Sequence, residues 1–481
     1  VEKSLVGRSE FIIRDATVLT MNEERDCYES GYIWVKGEQI FRVGDTAGLG
    51  ETPAGVDIRS ARGRVIMPGL VNAHGHLSNG VLRGIYDEMP LSVWFSKGMW
   101  PVLEALDAAT GMASAELALM ELMTTGVTTT VSAEFGISRR DLPDGVLAAV
   151  RKSRVRALVS RMTMDSPDES DPSQTVPPAY REPVAQAVAE VERLQREYRS
   201  ARVTVAPEAL GVLRCTPQMV SALHDLAVRS ESPFLMHIAS SRDEHESSHR
   251  LFGHGSVTEL KRRGALSERT LLAHAIWLDD AEIHDVSAAA TGISHNPVAN
   301  AYYASGFARL SDLIAAGVRV GLGVDGASTN NSQNLWETMK MALLVQKERT
   351  ADASFGSAEL ALELATRGGA AALHMEDRIG SLEPGKQADF ISIETSRVAL
   401  APRQTLVSNL VYSNDPLAVR DVYIGGEPVV IDGVHQFLDR DSVLRAADEA
   451  LERVLDRSGL KSYLQSRSGW RWRPQAARAA P

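Results

Sequence analysis

From Val65 onward one texture recurs along most of the chain: a short apolar, β-branched run, then an amphipathic stretch. The runs are GVTTTVSAE, RVRALVSRMT, RVTVAPEAL, SPFLMHIAS, RTLLAHAIW, ATGISHN and VRVGLGVDG. Segments between them, such as VAQAVAEVERLQREY and PQMVSALHDLAVRS, space their apolar residues at the helical period. Parallel strands need a crossover between them, and a helix is the usual one, so this alternation predicts βα units. Seven or eight such units in succession predict an α/β fold of one kind, a closed (β/α)8 TIM barrel.

The two ends read differently. FIIRDATVLTMN and GYIWVKGEQIFRVGD are β-rich, with Gly37 marking a hairpin, and ADFISIE and VRDVYIGGEPVVIDG repeat that texture near the other end. Ends of one kind can share one sheet. The expected layout is therefore an N-terminal part of a β-sandwich over residues 1–64, the barrel over 65–388, the C-terminal part of the sandwich over 389–435, and a C-terminal helix and tail over 436–481. The tail, SRSGWRWRPQAARAAP, groups arginines with two tryptophans and reads as loose or docked on a partner.

Composition narrows the partners. A formal net charge of −11 opposes nucleic-acid or anionic-membrane binding, which needs a basic excess, and leaves a small-molecule substrate as the expected partner. VEKSLVGRSE has no apolar core of a signal peptide, and no apolar run reaches the membrane-spanning length of about 18 residues, so a cytoplasmic protein is expected. Cys27 and Cys215 stand far apart, which argues against both a disulfide framework and a thiolate metal site.

The strongest chemical signal is VIMPGLVNAHGHLSNG, where a strand with a Pro-Gly break runs into His-Gly-His. Side chains two apart on a strand face the same way, so His74 and His76 can point at one ion; the plainer reading is two polar residues at a strand end. Three further strand ends favour the ion: FLMHIAS carries His237, LLAHAIW carries His274 and VGLGVDG carries Asp325. His74, His76, His237 and Asp325 form a nitrogen and oxygen ligand set suited to one divalent ion, zinc first, with iron and cobalt as alternatives. Such an ion acidifies a water; Asp325 can accept its proton while His274 polarises the attacked group.

At this point the chain resembles the amidohydrolase superfamily, in the branch that holds cytosine-, guanine- and adenosine-type deaminases and chloro-triazine hydrolases. PGLVNAHGH, TTGVTTTV, His237 after its strand, LLAHAIWLDDAEI, GISHNPVANAYYASG, GLGVDGASTNNSQN and IGSLEPGKQADFISI carry the likeness, which spans about residues 10 to 440. The resemblance implies a barrel with a side β-sandwich built from both termini, one metal ion, and hydrolysis. It also favours a homodimer or larger homo-oligomer.

One departure shapes the functional expectation. Many deaminases of this branch carry H-x-x-E at the fifth strand, the Glu serving to protonate a ring nitrogen; here that position is Ser240. A hydroxyl cannot shuttle a proton near neutral pH as a carboxyl does. Asp243, Glu244 or Glu246 could swing in from the following loop or helix to replace it, at a different spacing; the plainer reading of DEHE is a solvated helix start. The expected reaction is thus metal-dependent cleavage of a carbon–nitrogen bond in a small amide, urea or carbamate, including xenobiotics such as phenylurea or thiocarbamate herbicides. The alternative is aminohydrolysis or dechlorination of a purine, pterin or s-triazine ring. Expected substrate contacts are Ser240, Trp94, Trp277, His295 and Tyr302, with Phe95, Trp100 and Tyr303 in the same loops. Trp277 stands where guanine-type deaminases carry a substrate-binding histidine.

Overall fold

A computed structural model describes residues 10–87, 89, 93–136, 141–171, 174–413 and 415–467, the last three by backbone alone. The arginine- and tryptophan-bearing tail beyond 467 lies outside the described residues.

Eight parallel strands form the central sheet in chain order. They are Leu70–Asn72, Val127–Phe135, Arg156–Thr163, Val203–Ala209, Phe234–Ile238, Thr270–His274, Gly292–His295 and Arg319–Leu322. The second and third are buried at every position, as strands of a parallel sheet covered on both faces must be. Their sequences, VTTTVSAEF and RALVSRMT, accordingly show no strict alternation and bury Thr, Ser, Glu and Arg beside the apolar residues. Helices pack outside: Val184–Tyr198 buries Ala187, Val191 and Leu194, one stripe of its surface. Helix starts follow local chemistry, with the Asp107 side chain capping Ala108–Thr124 and Thr216 capping Pro217–Arg229 ahead of a proline in the first turn.

The barrel closes where the first and eighth strands meet. Ala73 N donates to the Leu322 carbonyl at 2.8 Å and Asp325 N to the His74 carbonyl at 3.0 Å. Beyond this seam Gly75–His76 pairs in parallel with Asp325–Gly326. Asn72 locks the seam from inside, donating to Thr130 Oγ1 at 3.0 Å and accepting from Val324 N at 2.9 Å. Gly323 lets the strands approach this closely, since a Cβ there would sit 2.3 Å from Asn296 Oδ1 and 2.8 Å from His74 Cβ.

Strands from both ends of the chain build one nine-stranded sheet beside the barrel, the side β-sandwich. Its join is the antiparallel pairing of Arg64–Pro68 with Phe390–Glu394. The hairpin at Gly37, whose φ is +59°, links Cys27–Lys36 to Gln39–Asp45. The chain passes from sheet to barrel at Gly69, where any side chain would collide with Thr128. No helix among the described residues is long and apolar enough to cross a membrane.

Two buried ion pairs tie loops and sheet to this frame. Arg156 on the third strand forks onto Asp389 beside the terminal sheet. Arg161 on the same strand meets both Glu182 oxygens at 2.8 Å and also donates to the Gly136 carbonyl, joining the two loops that follow the second and third strands. Both partners are almost fully buried. Removing one partner leaves a charge buried without compensation. Glu182→Ala should therefore cost about 3–5 kcal/mol of folding stability in denaturant titrations, and Arg161→Met with Glu182→Leu should recover most of it; a loss under about 1 kcal/mol, the worth of an exposed pair, would show that the fork holds nothing.

Candidate metal centre and active-site pocket

Four strand ends converge at the seam. His74 and His76 follow the first strand, His237 lies in the fifth, His274 ends the sixth, and Asp325 follows the eighth. Two clusters of donor atoms overlap at His74: one joins His74, His76 and His237, the other His74, His274 and Asp325, each within 4.8 Å. The first-to-eighth strand contact is what brings the histidine pair and the aspartate together. Backbone strain gathers here as well, for Ala239, His274, Ala275 and Asp325 all have positive φ, between +47° and +74°. Non-glycine residues hold such angles only where the surrounding structure imposes them.

The donor geometry fits an ion. Asp325 Oδ1 stands 3.3 Å from His76 Nε2 and 3.6 Å from His74 Nε2. Two ligands each bound at about 2.0–2.1 Å to a tetrahedral zinc are about 3.3–3.4 Å apart. His76 Nδ1 donates to the Ala133 carbonyl at 2.6 Å, which leaves its Nε2 lone pair free. His74 Nε2 is buried with no hydrogen-bond partner among the described residues, an orphan that an ion would satisfy. Burial, and next the neighbouring His237, hold His74 well below the ordinary imidazole range; burial, then His76 and His274, do the same for His237. Both are thus neutral donors. Burial opposes charge on His76 and Asp325 too, but their mutual contact carries His76 up to about 9 and Asp325 well below the carboxylate range. A proton shared by that pair and a divalent ion bound by it are competing ways to neutralise the same carboxylate.

His274 faces Asp325 with Nε2 3.8 Å from Oδ2, and its Nδ1 donates to Asn300 Oδ1 at 2.9 Å. Two buried glutamates that drew no attention in the sequence stand behind the cluster. Glu134 accepts from Leu77 N and Ser78 N and from the Ser132 hydroxyl, which fixes the turn after the His-Gly-His pair. Glu208 lies 2.8 Å from His237 Nδ1, and burial pushes it up to about 7. Their only sequence signal is a glutamate near the end of an apolar strand.

A pocket opens on this cluster. Trp94, Phe95, Phe135, Met162, Leu210 and Leu213 supply apolar wall, and Arg214, Ser240, Glu244, Asn300, Tyr303 and Thr329 the polar part. Trp94, from a π-helical turn at Trp94–Met99, and Ser240 therefore stand at the wall, as the sequence suggests.

Three expected contacts do not line it. The Tyr302 hydroxyl turns to Asp87, and Asn331 joins that pair, so it is the adjacent Tyr303, held by its bond to the Ser328 carbonyl, that reaches the pocket. Trp277 is drawn away by its indole bond to the Ser305 carbonyl at 2.7 Å and by Arg242 stacked on its ring. His295 is buried behind His274, and burial, then His274, lowers it to about 4.

The largest departure from expectation is Glu244. It sits in the first turn of Arg242–Phe252, capped by Ser241, yet its side chain is buried and lines the pocket rather than facing solvent. Its carboxylate accepts from Ala239 N at 2.7 Å, Ser240 N at 2.8 Å and the Ser240 hydroxyl at 2.7 Å. The strained turn at Ala239 folds the helix start back over the strand end, which spacing alone does not reveal.

Comparison with known proteins agrees with this architecture. The amidohydrolase family model matches residues 65–429, and the chain belongs to the amidohydrolase family. It is a hydrolase of carbon–nitrogen bonds. It is 33% identical over 454 residues to a 5-methylthioadenosine/S-adenosylhomocysteine deaminase of Pelotomaculum thermopropionicum, covering 93% of this chain and 99% of the relative. Among solved structures, a zinc-bound adenosine deaminase from Xanthomonas campestris superposes with a TM-score of 0.84 at 27% identity, over 93% of this chain and 98% of that one. A zinc complex of atrazine chlorohydrolase from Arthrobacter aurescens shares the fold, with a TM-score of 0.83 at 22% identity over 92% and 100% of the two chains.

The ligand geometry yields a direct test. Metal-free protein given a divalent ion at about 100 times its Kd should gain about 2.7 kcal/mol of stability. His74→Ala and Asp325→Ala should each abolish that gain in thermal-shift measurements, and a full gain in either variant would remove that residue from the ligand set.

Proposed function

We propose that the chain is a zinc-dependent aminohydrolase that releases ammonia from a ring carbon of an N-heteroaromatic small molecule of the adenine kind. The buried Glu244 carboxyl at the pocket wall carries this reading. Its absence from the usual position is what favours amides, ureas and carbamates in the sequence, and its arrival through Ser240 removes that objection. The deaminase relative at 33% identity over nearly the whole chain supports the same choice.

When bound, the ion supplies Lewis acidity and a water of lowered pKa. His74, His76, His237 and Asp325 hold it. Asp325 would take the water's proton and pass it to the amino group that leaves as ammonia, and His274, its Nδ1 tied to Asn300, would present Nε2 to the addition site. The Glu244 carboxyl, held in place by the Ser240 hydroxyl, would hand a proton to the ring nitrogen beside the attacked carbon and take one back from the added oxygen as the ring carbonyl forms. Trp94 Nε1 and Asn300 Nδ2 are buried donors at the wall with no partner among the described residues, suited to acceptor atoms of a heterocycle. Phe95, Phe135 and Leu210 provide faces on which a flat ring packs.

A substrate panel checks this. Purine nucleosides, pterins and amino-triazines should yield ammonia, whereas phenylureas and carbamates should not turn over. Glu244→Gln should lower kcat/KM for ring deamination by about 10²- to 10⁴-fold, and Ser240→Ala by less, with metal content unchanged. Release of a larger amine from an acyclic urea or carbamate, at a rate that Glu244→Gln leaves intact, would overturn the reading.

A further inference from the structure

Glu208 takes no part in the reaction just described, yet it occupies an expensive place. It is last but one in the strand Val203–Ala209 inside the barrel, and its side chain is 1% exposed. A carboxyl so placed costs stability unless a charge or several donors offset its burial. The neighbouring Glu134 meets that condition with two backbone amides and a hydroxyl. Glu208 has one hydroxyl, from Ser160 on the adjoining strand, and among the described residues no lysine or arginine pairs with it. Its other oxygen stands 2.8 Å from His237 Nδ1, with the ring turned off the hydrogen-bond line and, among the described residues, no other partner on that nitrogen.

The strands explain the contact. Ala206 pairs in register with Ser160, and Glu208, two residues on, shares its inward face. Glu208 is paired in turn with Leu235 of the fifth strand, and His237 lies two residues past Leu235 on the same face. Ser160, Glu208 and His237 thus form one diagonal row across three neighbouring strands, with the hydroxyl at one end and the imidazole at the other.

We propose that Glu208, seated by Ser160, is a positioning residue for His237: it keeps the imidazole proton on Nδ1, directs Nε2 towards the ion, and adds donor strength to that ligand. This rests on the reading that His74, His76, His237 and Asp325 hold a metal. The carboxylate acts on the ion only through the ring. A carboxylate behind a metal-bound histidine is worth about 10- to 100-fold in affinity.

The experiment measures zinc affinity of the metal-free full chain by competition with a chromophoric chelator, alongside its thermal midpoint without metal. Glu208→Gln keeps the shape and removes the charge. It should weaken zinc by about 10- to 100-fold while the metal-free midpoint stays level or rises, because a buried carboxyl has gone. Ser160→Ala leaves the carboxylate in place and removes only its donor, so it should weaken zinc by a smaller factor and serves if Glu208→Gln does not fold. Nitrogen-15 spectra of the histidines should find the proton of His237 on Nδ1 in the wild type and a mixed tautomer in Glu208→Gln. Wild-type zinc affinity in the folded Glu208→Gln or, failing that, in Ser160→Ala overturns the proposal. His237→Ala separates the two readings: if it binds zinc as the wild type does, the metal centre itself is wrong, and if it weakens zinc while Glu208→Gln does not, only the role of Glu208 falls.

Discussion

The amide of Asp325 donates to the carbonyl of His74, and the site depends on that backbone contact across the barrel seam. It joins the first strand to the last, so His74 and Asp325, distant in sequence, come to stand 3.6 Å apart. Asn72 reinforces the seam from the interior, and Gly323 keeps it free of side-chain bulk. His237 and His274 arrive by ordinary parallel register from strands five and six. Positive φ at His274 and Asp325 shows that the strand ends are bent to aim side chains rather than to extend pairing.

Charge burial follows one pattern around this seam. The barrel interior holds Asp325, Glu134 and Glu208 among four imidazoles, a set that has donors for a divalent cation and carboxylates to balance it. Two buried charge pairs elsewhere are plain forks, Arg156 with Asp389 and Arg161 with Glu182, and these fix loops and the terminal sheet. Buried carboxylates facing histidines mark the chemistry, and buried carboxylates facing arginines mark the frame.

Glu244 shows how one turn can change a functional reading. Counted along the chain, it is four residues past Ser240 and sits in a run of charged residues that resembles the solvated start of a helix. In space, the tight turn at Ala239 lays the first helical turn over the strand end, and three donors from Ala239 and Ser240 capture the carboxyl inside the cavity. Tyr302 and Tyr303 make the complementary point. They are adjacent and alike in sequence, but the hydroxyl of one finds Asp87 and that of the other finds Ser328, so only the second meets the pocket.

The order of elements, the parallel barrel, the sheet shared by both ends and the cluster of His74, His76, His237, His274 and Asp325 were legible in the amino acids, because strand alternation and the residues that close each strand are local patterns. The glutamates behind the metal centre, the reach of Glu244 and the turning away of Trp277, His295 and Tyr302 were decided only by tertiary structure. Each depends on which partner lies within about 3 Å once the strands are in register, and such proximity leaves no trace in the spacing of residues along a chain.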